Sequence, residues 1–324
     1  MKVIRSLEDL QLPASAVAIG MFDGVHTGHR MVLESTLRKA HALGLPATVF
    51  SFANHPQGVV SNSTPQLLST LEERLMAFEA AGIDIAVVPD FTPAMRELTP
   101  DQFIHDVLLA KLGAKSISIG YDHHFGKNRA GNSDLLKTIG DRLGFDVQVI
   151  APVRIENHEI VSSSLIRKLL SYGDVDEATA LLGKPYILTG TVVQGFGRGR
   201  QLGFPTANLQ PPAGRLMPAT GVYAGLAALG STLHSAVCNI GFSPTFDGGT
   251  PEKRMEVFLL SYSGPEFYND TMAFSFLHKI RGEQKFESKD ALIAQIHIDC
   301  AHAKDLLRES LSDNTQNNPV AERG

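Results

Sequence analysis

Cysteines, charged residues and long apolar runs are all scarce in this chain of 324 residues. Its two cysteines, Cys238 and Cys300, exclude a disulfide framework and favour a reducing compartment. No apolar run is long enough to span a membrane. The N-terminal segment contains Glu8 and Asp9 and has no long apolar core, so we expect no signal peptide. Together these absences predict a cytoplasmic protein without a membrane partner.

The charge balance limits the partners further. Charged residues make up 19% of the chain and the net charge is −5, and the sequence has no basic stripe rich in aromatic residues. Both features argue against a nucleic-acid partner. Apolar residues make up 43% of the chain, which is enough for two cores, and the length fits two domains at roughly 150 residues each. A homo-oligomeric state stays open.

Strand and helix patterns alternate in the first half. Short apolar runs predict strands at 16–19, 46–52, 84–88, 116–120 and 146–150. Helical spacing predicts helices after Gly28 and at 71–81, 99–112, 165–170 and 175–182. A serine among Ser162, Ser163 and Ser164 is the expected N-cap of the helix at 165–170. Such alternation predicts an α/β, doubly wound parallel sheet.

Residues 183–186 break the last of these helices, and the helical spacing of apolar residues disappears after them. Short strands separated by Gly, Pro and Asn clusters are predicted at 187–193, 221–229, 233–240, 255–260 and 272–278. They indicate an antiparallel β-barrel, and an apolar stripe along 288–307 indicates a helix that closes it. The expected divisions are an N-terminal domain 1–184, a C-terminal domain 185–310 and a polar tail 311–324.

Two histidines lie where the first predicted strand meets the first helix. His26 and His29 are three residues apart, and Gly20 and Gly24 permit a tight turn and close approach of the backbone to a ligand. Ligands bind at such junctions in open α/β sheets, and a helix N-terminus favours phosphate. The stretch therefore predicts nucleotide binding. A helix cap and half of a metal site are the alternatives, and no nearby Cys or carboxylate cluster supports the metal.

A glycine-rich, positively charged loop follows the first strand of the second domain. Its backbone N–H groups and arginines can surround phosphates, although the Gly-Lys-Ser/Thr ending of a Walker A loop is missing. Thr206 and Asn208 follow it and offer the hard oxygen ligands that Mg²⁺ prefers. An ordinary hairpin loop is the alternative, but the continuation Arg-x-Leu-Gly-Phe-Pro-Thr-Ala-Asn is too specific for it. The candidate phosphate-binding residues are Gly197, Arg198, Arg200 and Thr206.

Motifs in both halves resemble one known family. The motifs are 20–29 (Gly-x-Phe-Asp-Gly-x-His-x-Gly-His), 52–56, 120–126 and 162–167 in the first half, and 190–208, 221–225, 239–241, 244–246 and 276–278 in the second. In this order they resemble the bacterial bifunctional riboflavin kinase/FMN adenylyltransferase (FAD synthetase) family, over roughly residues 15–305. The resemblance implies a Rossmann-like nucleotidyltransferase domain before the barrel. It also implies that riboflavin and ATP give FMN in the barrel, and that FMN and ATP give FAD and pyrophosphate in the first domain, both with Mg²⁺.

The resemblance assigns roles residue by residue. In the kinase it implies that Glu256 is the general base and that Thr206 and Asn208 bind Mg²⁺ and ATP. Arg198 and Arg200 can clamp phosphate, and solvated loop charges are the alternative. In the adenylyltransferase the resemblance implies that His26 and His29 bind the triphosphate. The further ATP-binding residues are Gly20, Phe22, Gly24, Ser163 and Arg167, and the flavin-binding residues are His55, Asp122 and Phe125. Without the resemblance, Glu256 could be a rim-exposed strand residue and Arg167 a solvent-facing helix cation.

Several positions depart from the pattern that is usual in the family. They are Met21, Ala53–Asn54, His123 (usually Phe), His124, Leu165, Gln194 and Ser261. Those near 121–124 affect the expected flavin side of the adenylyl site. Two rival functions stay open: a nucleotidyltransferase with another acceptor, such as pantetheine phosphate or nicotinamide mononucleotide, and a flavin-binding sensor with weakened catalysis.

Overall fold

The computed structural model describes residues 1–61, 63–155, 159–195, 199, 202–242, 253–265 and 267–316. The chain divides into two compact units, Met1–Leu165 and Ile166–Gly324. In the described part, no helix is both long and apolar enough to cross a membrane.

The first unit contains a six-stranded parallel sheet. Its strands are β1 (Lys2–Ile4), β2 (Ser15–Ile19), β3 (Ala47–Phe50), β4 (Ile85–Val87), β5 (Ala114–Gly120) and β6 (Asp146–Ile150). Their order across the sheet is β1-β4-β3-β2-β5-β6. Every residue of β2 and β3 is buried, as expected for central strands that helices cover on both faces. The predicted doubly wound α/β class is confirmed.

Helices lie between these strands and also follow β6. They are α1 (Thr27–Leu43), α2 (Pro56–Ser61), α3 (Leu71–Ala81), α4 (Pro93–Glu97), α5 (Pro100–Gln102), α6 (Ser133–Leu143), α7 (Ser163–Tyr172) and α8 (Val175–Leu182). The helix predicted at 99–112 differs, because α5 passes at once into a π-helical segment, Phe103–Leu109. A capping box of Thr70 and Glu73 starts α3.

The second unit contains a closed antiparallel barrel, as predicted. Its strands are β7 (Tyr186–Val193), β8 (Ala207–Gln210), β9 (Gly221–Leu229), β10 (Thr232–Phe242), β11 (Lys253–Leu259) and β12 (Thr271–Arg281), in the order β10-β11-β8-β7-β12-β9. A final helix, α9 (Lys289–Gln316), packs Cys300, Ala303 and Leu307 against the barrel. This is the predicted closing helix.

The two helices before the barrel are both bonded to its strand β12. Lys279 Nζ donates to the Tyr172 carbonyl oxygen of α7 at 2.8 Å, and His278 Nδ1 lies 2.7 Å from Asp176 Oδ1 of α8. Residues 166–182 therefore belong to the second compact unit. The boundary at 184/185 stays a prediction.

Candidate active sites

A cavity of about 280 Å³ lies in the first unit at the carboxyl ends of β2 and β5. The two strands are neighbours, although β2 leads first to β3 on its other side. The cavity therefore lies at the topological switch point of the sheet, the usual ligand position in open α/β folds. Its walls come from the β2–α1 connection, from the residues after β5 and from the segment between β6 and α7.

The β2–α1 connection is a tight turn in an unusual backbone conformation. Phe22, Gly24 and Val25 have positive φ values of 54°, 81° and 43°. A positive φ costs a non-glycine residue free energy, and such residues cluster at functional sites where the surrounding structure holds them. The buried Asp23 carboxylate holds this turn in place, because it accepts the Leu68 and Ser69 N–H groups at 3.0 and 2.9 Å.

His26 and His29 lie together at the first turn of α1. Their rings stack with centroids 3.6 Å apart, and His26 Nδ1 accepts the His29 backbone N–H at 3.3 Å. In neutral His26 the proton is then on Nε2, which becomes a donor. Burial, and then the charges of His26 and Arg74, hold the pKa of His29 well below its ordinary value. His29 is therefore a neutral hydrogen-bonding group at pH 7.

The N-terminus of α7 forms another part of the wall. Ser162 Oγ accepts the Leu165 N–H at 3.2 Å, so Ser162 is the expected serine cap. Ser163 lines the cavity, and its hydroxyl donates to the Asp23 carbonyl oxygen at 3.0 Å. Arg167 lies one turn further along α7 and is not among the described residues that line the cavity.

The other predicted residues of the first unit are not all at this cavity. Gly20, Phe22 and Asp122 line it. The Gly24 N–H donates to Ser69 Oγ at 2.7 Å, and His55 Nδ1 accepts the Gln57 N–H at 3.2 Å near the start of α2. Phe125 is buried in the core beside Phe103, with ring centroids 5.7 Å apart. Their proposed binding roles stay predictions.

His123 lines the same cavity. Its Nε2 atom is buried, and the described part of the chain offers it no hydrogen-bond partner. Burial, followed by the nearby His124 and Arg129, lowers the pKa of His123 to about 4. The imidazole is therefore neutral at pH 7.

A second cavity, of about 780 Å³, lies on the outer face of the barrel and is bounded by α9. Glu256 on β11 pairs directly with Asn208 on β8 and with Asn239 on β10, and all three residues line this cavity. Cross-strand partners point to the same face of a sheet. The barrel register therefore places one carboxylate between two carboxamides.

An ion pair joins β12 to α9 at the edge of this cavity. Arg281 donates to both carboxylate oxygens of Asp299, at 2.8 to 3.0 Å, and Asp299 is buried. Both residues line the cavity, next to apolar Leu292 and Ile296 of α9. The cavity thus combines an apolar wall with a few fixed polar groups, as ligand sites commonly do.

A third cavity, of about 640 Å³, adjoins the second. Both cavities are lined by Phe204, Pro205, Thr206, Tyr268 and Cys300. The predicted residue Thr206 therefore lies in a wall that the two cavities share, one residue before β8. This arrangement suits two substrates that meet at Thr206.

The glycine-rich loop approaches Asn208 closely. A Cβ atom added at Gly195 would collide with the carboxamide of Asn208, so a side chain there would displace that carboxamide. The predicted phosphate-binding residues Gly197, Arg198 and Arg200 lie outside the described residues. Over the part of the chain that the structure covers, no group of three or more His, Cys, Asp and Glu side chains could hold a metal ion. An Mg²⁺ ion here would depend on Thr and Asn oxygens and on substrate phosphates.

Sequence reasoning missed two polar residues of these sites. Asn239 belongs to a motif that carries the family resemblance, but only the barrel register puts it beside Glu256. Arg74 looks like an ordinary helix cation in the sequence, yet it is 1% exposed and donates to the carbonyl oxygen of the cavity residue Met21 at 3.0 Å.

Comparison with known families matches both halves of the chain. The FAD synthetase family model matches residues 9–164, and the riboflavin kinase family model matches residues 182–307. The chain is 37% identical to the bifunctional riboflavin kinase/FMN adenylyltransferase of Haemophilus influenzae, over 94% of this chain and 98% of that protein. It is 35% identical to the protein of the same name from Bacillus subtilis, over 88% of this chain and 90% of that protein.

One solved structure is similar over nearly the whole chain. It is described as a macrolide-efflux protein from Streptococcus pneumoniae, is 30% identical, and has a TM-score of 0.84. The match covers 93% of this chain and 98% of the other. The order of sheet and barrel is therefore found in an experimental structure.

Proposed function

Since the chain belongs to the bifunctional riboflavin kinase/FMN adenylyltransferase family, we propose that it converts riboflavin to FMN and then FMN to FAD, using one ATP in each step. The successive matches of two family models to one chain carry this proposal. The alignment with the Haemophilus influenzae relative also covers 98% of that protein. Each half also has its own cavity with suitable polar groups.

In the kinase step the riboflavin 5′-hydroxyl attacks the γ-phosphorus of ATP. The new oxygen–phosphorus bond forms as the bridging bond to the β-phosphate breaks, and ADP leaves with the electron pair. The Glu256 carboxylate accepts the hydroxyl proton, acting as general base. The apolar wall of α9 suits the flavin ring in the cavity with Glu256, and the adjoining cavity suits the nucleotide.

The kinase step also needs a cation, and we propose Mg²⁺. The Thr206 hydroxyl, at the boundary of the two cavities, and the Asn208 carboxamide oxygen, in the cavity with Glu256, are hard donors that would hold it. When bound, the ion neutralises charge that develops on the transferring phosphate. The close packing of Gly195 against Asn208 supports a fixed carboxamide position.

In the adenylyl step the FMN phosphate is itself the nucleophile. Its oxygen attacks the α-phosphorus of ATP, the bridging bond to the β-phosphate breaks, and pyrophosphate leaves. An ionised phosphate has no proton to lose, so positioning and charge stabilisation are the main needs. We propose that His26 and the neutral His29, with Ser163 and Arg167 on α7, bind the ATP phosphates.

Product analysis tests this function. Purified protein is incubated with riboflavin, ATP and Mg²⁺, and the flavins are separated by chromatography. We expect FMN to form first and FAD to follow, with pyrophosphate equal to the FAD formed. Accumulation of FMN without FAD would remove the adenylyltransferase assignment and favour another acceptor. Saturable flavin binding without any product would favour the sensor.

A further inference from the structure

Arg74 is a buried cation behind the wall of the N-terminal cavity. It lies on α3 and is 1% exposed. One guanidinium nitrogen donates to the Met21 carbonyl oxygen at 3.0 Å and to Ser51 Oγ at 2.9 Å. The other donates to the carbonyl oxygens of Phe52 and Ala53, at 2.9 and 3.2 Å. One side chain thus holds the turn after β2 against the segment after β3.

This cation has no close acidic partner in the part of the chain that the structure describes, where no carboxylate oxygen comes within 4.0 Å of it. Asp23 and Glu72 act on it only from further away, and burial is the larger effect and lowers the pKa of Arg74. The Asp23 carboxylate already accepts two backbone N–H groups. Burying a charge without a close counter-charge costs free energy. An anion bound in the adjacent cavity would therefore be stabilised by the Arg74 charge.

The hydrogen bonds connect this charge to the site. Met21 lines the cavity, and its carbonyl oxygen also accepts the Ser51 hydroxyl at 3.2 Å. His29 lines the same cavity, and the Arg74 charge is one of the causes of its lowered pKa, after burial and His26. Arg74 itself is not among the described lining residues, so it acts through its neighbours.

We propose that Arg74 is a positioning residue of the adenylyl site, whose buried guanidinium fixes the phosphate-binding turn and attracts the triphosphate of ATP from behind the cavity wall. This inference rests on the proposed adenylyltransferase function. The charge and the hydrogen-bond geometry of Arg74 both matter, and two substitutions test them separately. Lysine keeps the charge but cannot make the forked hydrogen bonds of a guanidinium, whereas glutamine loses the charge.

The test compares Arg74→Lys and Arg74→Gln with the wild type. Arg38→Gln is the matched control, because Arg38 is an exposed cation on α1 whose nearest carboxylate is 3.9 Å away. FAD formation from FMN is measured at varied ATP, and His29 is titrated by NMR of its imidazole. Riboflavin phosphorylation in the same preparations serves as the folding control for the barrel, and circular dichroism for the whole chain.

We expect Arg74→Gln to raise the KM for ATP roughly tenfold with a smaller change in kcat. The His29 titration should move to higher pH, because a like charge has been removed. Arg74→Lys keeps the charge but not the fork, so it should leave the His29 titration as in the wild type and raise the KM for ATP severalfold, less than Arg74→Gln does. Arg38→Gln should change neither measurement.

An Arg74→Gln variant with wild-type KM and unchanged His29 titration overturns the inference. Should glutamine prevent folding, Arg74→Lys decides: a KM for ATP raised severalfold with a wild-type His29 titration supports the inference, and a wild-type KM overturns it. A wild type that makes no FAD overturns the proposed function instead, so the two failures are distinguishable.

Discussion

Glu256 on β11 and Asn208 on β8 are direct partners across two barrel strands. The predicted general base and a predicted Mg²⁺ ligand are thus held side by side on a rigid part of the barrel. Catalytic groups on strands keep their geometry better than groups on loops. The pairing also makes the two roles separable by substitution, because one side chain is expected to accept a proton and the other to bind the metal.

Replacing Glu256 with Gln should abolish FMN formation. The amide keeps the size of the side chain but cannot accept the 5′-hydroxyl proton, and general bases contribute roughly 10²–10⁴-fold to a rate. Steady-state phosphorylation of riboflavin measures the loss. FAD formation from supplied FMN is the internal control and should stay unchanged. A variant that keeps kinase activity within a few-fold of the wild type would reject the base role.

Replacing His29 with Ala should have the opposite result. FAD formation from FMN should fall by roughly 10²-fold, because a donor to the developing phosphate charge is lost. FMN formation from riboflavin should not change, since His29 and Glu256 line separate cavities. Pyrophosphate release measures the adenylyl step. An unaltered rate would exclude His29 from that step.

Thr206 should set the Mg²⁺ requirement of the kinase. Thr206→Val removes the hydroxyl and keeps the shape, so the Mg²⁺ concentration for half-maximal FMN formation should rise severalfold. Thr206→Ser keeps the oxygen donor and is the matched control, which should behave like the wild type. Equal Mg²⁺ dependence in valine and serine variants would contradict the ligand assignment.

Gly195 should tolerate no side chain. In Gly195→Ala the new Cβ collides with the Asn208 carboxamide, so the kinase rate should fall while the adenylyl rate stays unchanged. Gly282→Ala is the control, because a Cβ there meets no atom within 4 Å. Kinetics of both steps on both variants check this. A fully active Gly195→Ala enzyme would contradict the fixed position of Asn208.

His123 should make the first unit sensitive to acid. Its folded pKa of about 4 lies below the ordinary value of 6.5, so the unfolded chain binds more protons between those two values. Stability is therefore lost as the pH falls from 6.5 towards 4, by on the order of 3 kcal/mol at most. His29 contributes in the same direction.

The His123→Phe variant isolates this contribution. Urea unfolding at pH 7 and at pH 5 should show a smaller loss of stability in the variant than in the wild type. Phe keeps a planar ring at this position, where the His123 ring stacks on that of Phe125 with centroids 6.1 Å apart. Identical losses in the two proteins would show that His123 does not titrate as described.

The sequence predicts the fold class well because both halves have clear periodicity. It predicts the buried β2 and β3 and the capped α3 within one or two residues of their observed ends. It misses β1, which is three residues long and mostly exposed, since its only pairing is with the distant β4. The π-helical segment at 103–109 also has no local signal.

The candidate sites are predictable only where a motif or the family resemblance points to them. His26 and His29 stand in a motif, the resemblance points to Glu256, and each of the three lines a cavity. Neither the placement of Phe125 in the core nor the burial of Arg74 could be predicted, because both depend on tertiary packing. The positions of Arg198 and Arg200 lie outside the described residues and stay predictions.

The central claim is that one chain holds two independent activities that share FMN. Glu256→Gln and His29→Ala proteins can be mixed in one tube with riboflavin, ATP and Mg²⁺, and FAD measured by chromatography. Each variant alone should make FAD from riboflavin at no more than about one hundredth of the wild-type rate. The mixture should make FAD much faster than either variant, because the His29→Ala protein supplies FMN to the Glu256→Gln protein. A mixture of two folded variants that is no faster than either one alone, or a single variant with a wild-type rate, would contradict the account.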